Sequence, residues 1–329
     1  MRKKFLQIIA CMLTVALLTA CGKIESAADL NQEGQPQENQ EDSGVYPFTL
    51  ENYGRKITVN QKPQKVLTLG PNCTELFVAL GLRDSIVGTS LANHSRGPLA
   101  EYEEAYQDMP QLNYGSATRE AVISSGADFI YGLDWEFGDS ALDIEELESY
   151  GMTVYVNSAV TLKQQYQEIL DLGKIFGIEE RAEAYVEDQK ARIQAVREHI
   201  AGKEPVKVLV YDSGNNGVFT CSGTNFESLL IELAGGENLF DDLEEKQWMT
   251  VSYEEVLARE PDLILIHDYD SPSVEEKIAE IKANDTLAQL ECVKEERFAT
   301  IPLESVLPGD RMAYTVERLA EAFYPEMGE

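Results

Sequence analysis

A shift of 134 positions lays one stretch of this chain onto another. It carries Glu120 onto Glu254, Val122 onto Val256, Ile123 onto Leu257 and Asp128 onto Asp262. Each copy reads as a short helix, a turn ending in an acid, and a buried apolar strand. Lys65-Val66-Leu67-Thr68-Leu69 and Lys207-Val208-Leu209-Val210-Tyr211 form a second echo, each an apolar strand opening its half. Leu80-Gly81 and Ala234-Gly235 form a third, where a helix ends on glycine. Three echoes in one order point to a duplicated α/β lobe.

The stretch from Leu162 to about Ala201 separates the copies. Its apolar residues, among them Leu162, Tyr166, Ile169, Leu170, Phe176, Ala182, Tyr185, Val186, Ile193, Val196 and Ile200, return to one face of a helix. Gly177 reads as a C-cap, so the spacing predicts a short helix, a bend and a longer helix acting as a stiff strut. An ordinary pair of packed helices is the plainer alternative.

The chain opens with Arg2-Lys3-Lys4 and an apolar run from Phe5 to Leu18, too short for a comfortable membrane span, and then Leu18-Thr19-Ala20-Cys21-Gly22. This is a signal peptide over 1–20. Its end resembles a bacterial lipobox, with Cys21 as the acylated residue; a plain secretory signal is the alternative. Each buried methylene of an acyl chain contributes about 0.8 kcal/mol, so two chains on Cys21 would hold the protein to a membrane surface. Residues 21–44, rich in Gln, Glu, Asn, Ser and Gly, read as a disordered tether. The divisions that follow are an N-terminal lobe over 45–160, linking helices over 161–204 and a C-terminal lobe over 205–329. Val45–Asn60 reads as a hairpin turning at Asn52-Tyr53-Gly54, and Thr74 as the N-cap of the helix after the first lobe's strand.

With 58 acids against 27 Lys and Arg the net charge is -31, which argues against nucleic acid as a partner. Cys73, Cys221 and Cys292 have neither zinc-knuckle nor disulfide-framework spacing and read as small buried thiols. A site for bare zinc or manganese would need converging ligands, and the histidines are only His94, His199 and His267. A surface hydrolase lacks its motifs: no Gly-x-Ser-x-Gly elbow, His-Glu-x-x-His or phosphate loop is present, although His267-Asp268 after a strand could hold a base. A purely structural surface protein is a third alternative.

Ligands of open α/β sheets sit at the carboxyl ends of strands, which directs attention to the loops there. Tyr114 lies six residues before Glu120 and Trp248 six before Glu254. The repeat therefore predicts an aromatic at matching places on facing lobes, joined by Trp135 and Phe219 on loops, as suits a large, partly apolar ligand. Core packing is the bland reading of each. Asn72, His94, Asp212 and Tyr269 are weaker candidates. Glu120 and Glu254 each open a short helix, where a carboxylate also suits the dipole. As equivalent acids on two lobes they fit a two-fold symmetric partner presenting arginines.

From about Tyr46 to Pro325 the sequence resembles the substrate-binding lipoproteins of iron-siderophore, haem and cobalamin ABC importers. The resemblance rests on Lys65–Leu76 with Leu80-Gly81, Gly235–Phe240, Val251–Leu257 with Pro261-Asp262, and Pro308-Gly309-Asp310-Arg311. It implies two similar three-layer α/β lobes bridged by a long rigid helix, a metal chelate held between them, little hinge closure, and no catalytic step or cofactor. It further implies a monomer whose Glu120 and Glu254 dock on an ABC permease dimer, and an Arg311 that meets the ligand; a pair with Asp310 or another acid is the alternative there. Ferric siderophore is the first expectation for cargo, with corrinoid or haem next.

Overall fold

A computed structural model describes residues 45–138, 141–214 and 216–328 of the chain. The signal peptide, Cys21 and the tether lie outside the described residues.

β1 (Phe48–Asn52) and β2 (Arg55–Val59) pair antiparallel around Tyr53 and Gly54, both at positive φ (53° and 69°), a turn matched to strand twist. The hairpin docks beside the first sheet: the Asn52 amide clasps the backbone of Val156 at 2.7 and 2.8 Å. The N-terminal lobe follows with β3 (Val66–Leu69), α1 (Pro71–Ala79), β4 (Ile86–Ser90), the short α2 (Glu103–Tyr106), α3 (Arg119–Ser124), β5 (Phe129–Leu133), α4 (Ile144–Ser149) and β6 (Thr153–Asn157). Then come α5 (Leu162–Phe176) and α6 (Glu179–His199). The C-terminal lobe holds β7 (Val206–Tyr211), β8 (Ser213–Gly214), β9 (Val218–Cys221), α7 (Phe226–Leu233), β10 (Gly236–Asn238) and β11 (Trp248–Val251). It ends with α8 (Tyr253–Arg259), β12 (Leu263–Asp268), α9 (Val274–Ala283), α10 (Glu291–Lys294), β13 (Phe298–Pro302), α11 (Leu303–Val306) and α12 (Met312–Phe323).

Each lobe carries a four-stranded parallel sheet, in order β4-β3-β5-β6 and β10-β7-β12-β13, so the duplicated sequence is a duplicated topology. The repeated acids do the same work in both copies. The Asp128 carboxylate accepts from the Lys65 amide at 2.9 Å and the Asp262 carboxylate from the Lys207 amide at 2.9 Å, tying one strand to the start of its neighbour.

Alternation along the strands sets the layering. Phe129, Tyr131 and Leu133 of β5 and Val208 and Val210 of β7 face one core that both lobes share with α1, α5, α6, α7 and α12. Ile130 packs outward under α3 and α4, and Leu209 and Ile264 outward under α8 and α9. Because the inner layer is continuous, the lobes meet over apolar surface as well as through the linking helices.

Gly177 closes α5 at φ 61°, with the Ile178 amide returning to the Gly173 carbonyl at 2.8 Å. α5 packs on the first sheet, where Tyr155 donates to Asp171 at 2.8 Å, while α6 carries the chain across to α12 and α7. Thr74 is not an N-cap. α1 begins at Pro71 after Gly70, whose missing Cβ would stand 2.7 Å from Leu133, and Thr74 lies within the helix with its buried hydroxyl bonded to that of Thr68 on β3 at 2.8 Å.

Candidate functional site

Parallel strands of both sheets end toward one inter-lobe cleft. Leu133, Asp134 and Trp135 enter it from the end of β5, and Asn157, Ser158 and Ala159 from the end of β6. Asn225, Phe226, Gln247 and Trp248 form the facing wall, and Val306, Leu307 and Pro308 the segment beyond β13. The two tryptophans of the chain thus stand on opposite lobes of one hollow. Trp135 sits on a single helical turn and is 44% exposed. Trp248 and Phe219 lie on strands β11 and β9, where alternate residues of neighbouring strands stack at 5.6 Å, rather than on loops.

Tyr114 and Trp248, matched in the repeat, reach the cleft region differently. Tyr114 is 55% exposed and donates across the lobes to Asp270 at 2.7 Å. His94 stacks on Tyr269 at 6.3 Å, and Arg96 meets Asp268 at 3.4 Å, so the three contacts bridge one rim. Burial lowers the His94 imidazole, favouring its neutral form.

Two expected ligand contacts are corrected. Arg311 is buried, and its guanidinium makes a two-pronged contact with Glu75 at 2.7 and 2.5 Å while also donating to Ser305 and to the Gly97 carbonyl. The acid it pairs with belongs to α1 of the other lobe, so Arg311 binds lobe to lobe rather than cargo. Asn72 is buried as well and donates to the Pro308 carbonyl at 2.7 Å, a second inter-lobe tie beneath the cleft. Glu304 adds a third, accepting from Ser95 and the Arg96 amide at 2.9 Å each. Sequence spacing hides all three, because each pairs residues more than 200 positions apart.

Behind Trp248 lies a buried polar cluster. The His267 ring is held between Asp212 at 3.0 Å and Glu227 at 2.9 Å. Burial by itself would lower that imidazole, but the two carboxylates outweigh it and hold it up at about 9. Buried between two acids, His267 is a fixed cation and not a base open to a substrate. Lys277 donates to the His267 carbonyl at 2.7 Å and lies 3.7 Å over the Tyr269 ring. Cys73, Cys221 and Cys292 are buried and free. Among the described residues no group of three His, Cys, Asp or Glu could hold a metal ion.

A family profile described as periplasmic binding protein matches residues 66–304. The chain belongs to the periplasmic binding protein family. Over 323 residues it is 25% identical to an uncharacterized ABC transporter substrate-binding lipoprotein of Bacillus subtilis, covering 96% of each chain. It is also 25% identical to the vitamin B12-binding protein of Vibrio campbellii over 206 residues, 62% of this chain and 71% of that one. The crystal structure of a periplasmic binding protein from Veillonella parvula superposes with a TM-score of 0.76 at 27% identity, covering 84% of this chain and 97% of the other. It is an ABC-transporter substrate-binding protein with the two-lobed, helix-bridged fold.

In this periplasmic binding protein Glu120 and Glu254 occupy matching places. Each is the second residue of its helix, behind a hydroxyl N-cap, Thr118 or Ser252. Each helix runs into an interior strand of its sheet, β5 or β12. Both acids are exposed, and neither closes an ion pair among the described residues.

Proposed function

We propose that the protein captures a metal chelate of the ferric-siderophore type between its lobes and hands it to an ABC permease dimer. The observation that carries this reading is the cleft itself: aromatic side chains from two lobes converge where the strands of both sheets end, the usual ligand position in open α/β sheets. A corrinoid is the second reading, supported by the likeness to the vitamin B12-binding protein; haem is a third chelate of the same class. Glu120 and Glu254, exposed and unpaired, would meet arginines on the two halves of the permease. A lipid on Cys21 would hold the protein at the outer face of the cell membrane.

Titration of the protein with ferric siderophores, cobalamin and haem, read by tryptophan fluorescence, tests the binding role. Trp135 and Trp248 are the only tryptophans, so the true cargo quenches at low concentration. Absence of a saturable signal with every chelate ends the proposal.

A further inference from the structure

The cleft is acidic where its cargo would sit. Asp134 lies in the wall beside Trp135, half-buried, and pairs with no cation among the described residues. Burial pushes its carboxyl up from the ordinary range, and backbone amides of Trp135 and Asp134 itself oppose that rise. Glu136 follows on the same turn, buried against the Ala117 amide at 2.9 Å. Burial first, and then the carboxylates of Glu168, Glu136 and Asp134, push the buried Cys73 thiol up.

No Lys or Arg lines the cleft among the described residues. Three of the cations around it are already committed. Arg311 is buried on Glu75, Arg96 at the rim meets Asp268, and His267 sits between Asp212 and Glu227. Lys246, next to the cleft-lining Gln247, is exposed and flanked by Glu244 and Glu245.

We infer that the cleft selects a neutral or cationic chelate: its apolar face lies between Trp135 and Trp248, and a cationic or amide N–H edge meets the Asp134 carboxylate. The inference rests on the binding role proposed above and narrows it by charge. Aromatic faces attract cations, and a carboxylate beside them adds to that preference. An anion brought within about 6 Å of an unpaired carboxylate, at an effective dielectric of about 20, loses on the order of a hundredfold in affinity. Trianionic tris-catecholate iron and haem, with its propionates, are therefore disfavoured. Ferric trihydroxamates and amide-rimmed corrinoids are favoured.

The test is calorimetric titration of the full chain with five probes: ferrioxamine B (cationic), ferrichrome and cyanocobalamin (neutral), ferric enterobactin (trianionic) and haemin. The expected result is that a neutral or cationic probe binds at least about tenfold tighter than either anionic one. Asp134→Asn should weaken ferrioxamine B about tenfold more than ferrichrome, and Asp134→Lys should shift the ranking toward ferric enterobactin. The wild-type ranking stands even if a variant folds poorly, which a thermal melt reveals. Equal or tighter binding of an anionic probe overturns the charge selection and leaves the transport role intact. Binding of none of the five removes the cargo reading and this inference with it.

Discussion

At the scale of residues, the buried charges set stability. Glu75 and Arg311 are each about 3% exposed at the side chain and join α1 to the start of α12. Removing one partner strands a charge in the interior, so Arg311→Ala should cost about 3–5 kcal/mol in chemical denaturation. Replacing both with apolar residues of similar volume should cost less than removing one, although buried Glu304, 3.5 Å from Arg311, then loses its cation. Titration of the buried network gives stability a pH dependence. His267 is raised from an unfolded value of 6.5 to about 9, so its stabilisation is complete below pH 6.5 and lost as pH climbs to about 9. Glu168 is raised to about 7, chiefly by burial, which protects the folded state below its ordinary range and penalises it as pH rises to 7. Lys277, lowered to about 8 by burial, acts in the opposite sense, because the folded state releases that proton early and gains stability above pH 8. Denaturation midpoints should therefore fall from pH 5 toward pH 8, and His267→Gln should flatten the upper part of that fall. An unchanged slope in the variant would assign the fall to other groups.

At the scale of elements, the junction between α5 and α6 depends on two glycines. Gly177 adopts the left-handed conformation that lets α5 stop and α6 start. Gly177→Ala should cost about 1 kcal/mol, read as a lowered melting temperature. Gly173 lets the helices touch: a Cβ there would lie 2.6 Å from that of Ala182. A bulky residue at position 173 should cost more than the alanine at 177, because it separates the helices rather than straining one residue. These positions were legible in part. A lone glycine after an apolar run marks a helix end, whereas the close approach at Gly173 depends on a partner helix that no spacing names.

At the scale of the molecule, the shared inner core and the Arg311–Glu75, Asn72–Pro308 and Glu304–Ser95 ties hold the lobes together. A body fixed in this way should change little on loading. Small-angle scattering with and without saturating chelate should give superimposable curves, while a clear compaction would point to hinge closure. The exposed glutamates belong to this scale too, since their use depends on a partner spanning both lobes. Glu120→Arg combined with Glu254→Arg should abolish uptake and leave chelate affinity in place. Loss of affinity in that double variant would refute the separation between cargo and docking surfaces.

The sequence by itself determined the doubled α/β topology, most strand and helix positions, the break at Gly177 and the equivalence of Glu120 with Glu254. These follow from periodicity, glycine placement and a repeat at constant offset, all of which are local or translational along the chain. The tertiary structure alone decided that Arg311 and Asn72 are ties rather than ligand contacts. It decided also that Thr74 lies inside a helix, that Phe219 and Trp248 come from strands, and that Asp134 joins the cleft wall. Each of those roles is set by a neighbour distant in sequence, and side-chain partnership across lobes leaves no period in the chain to read.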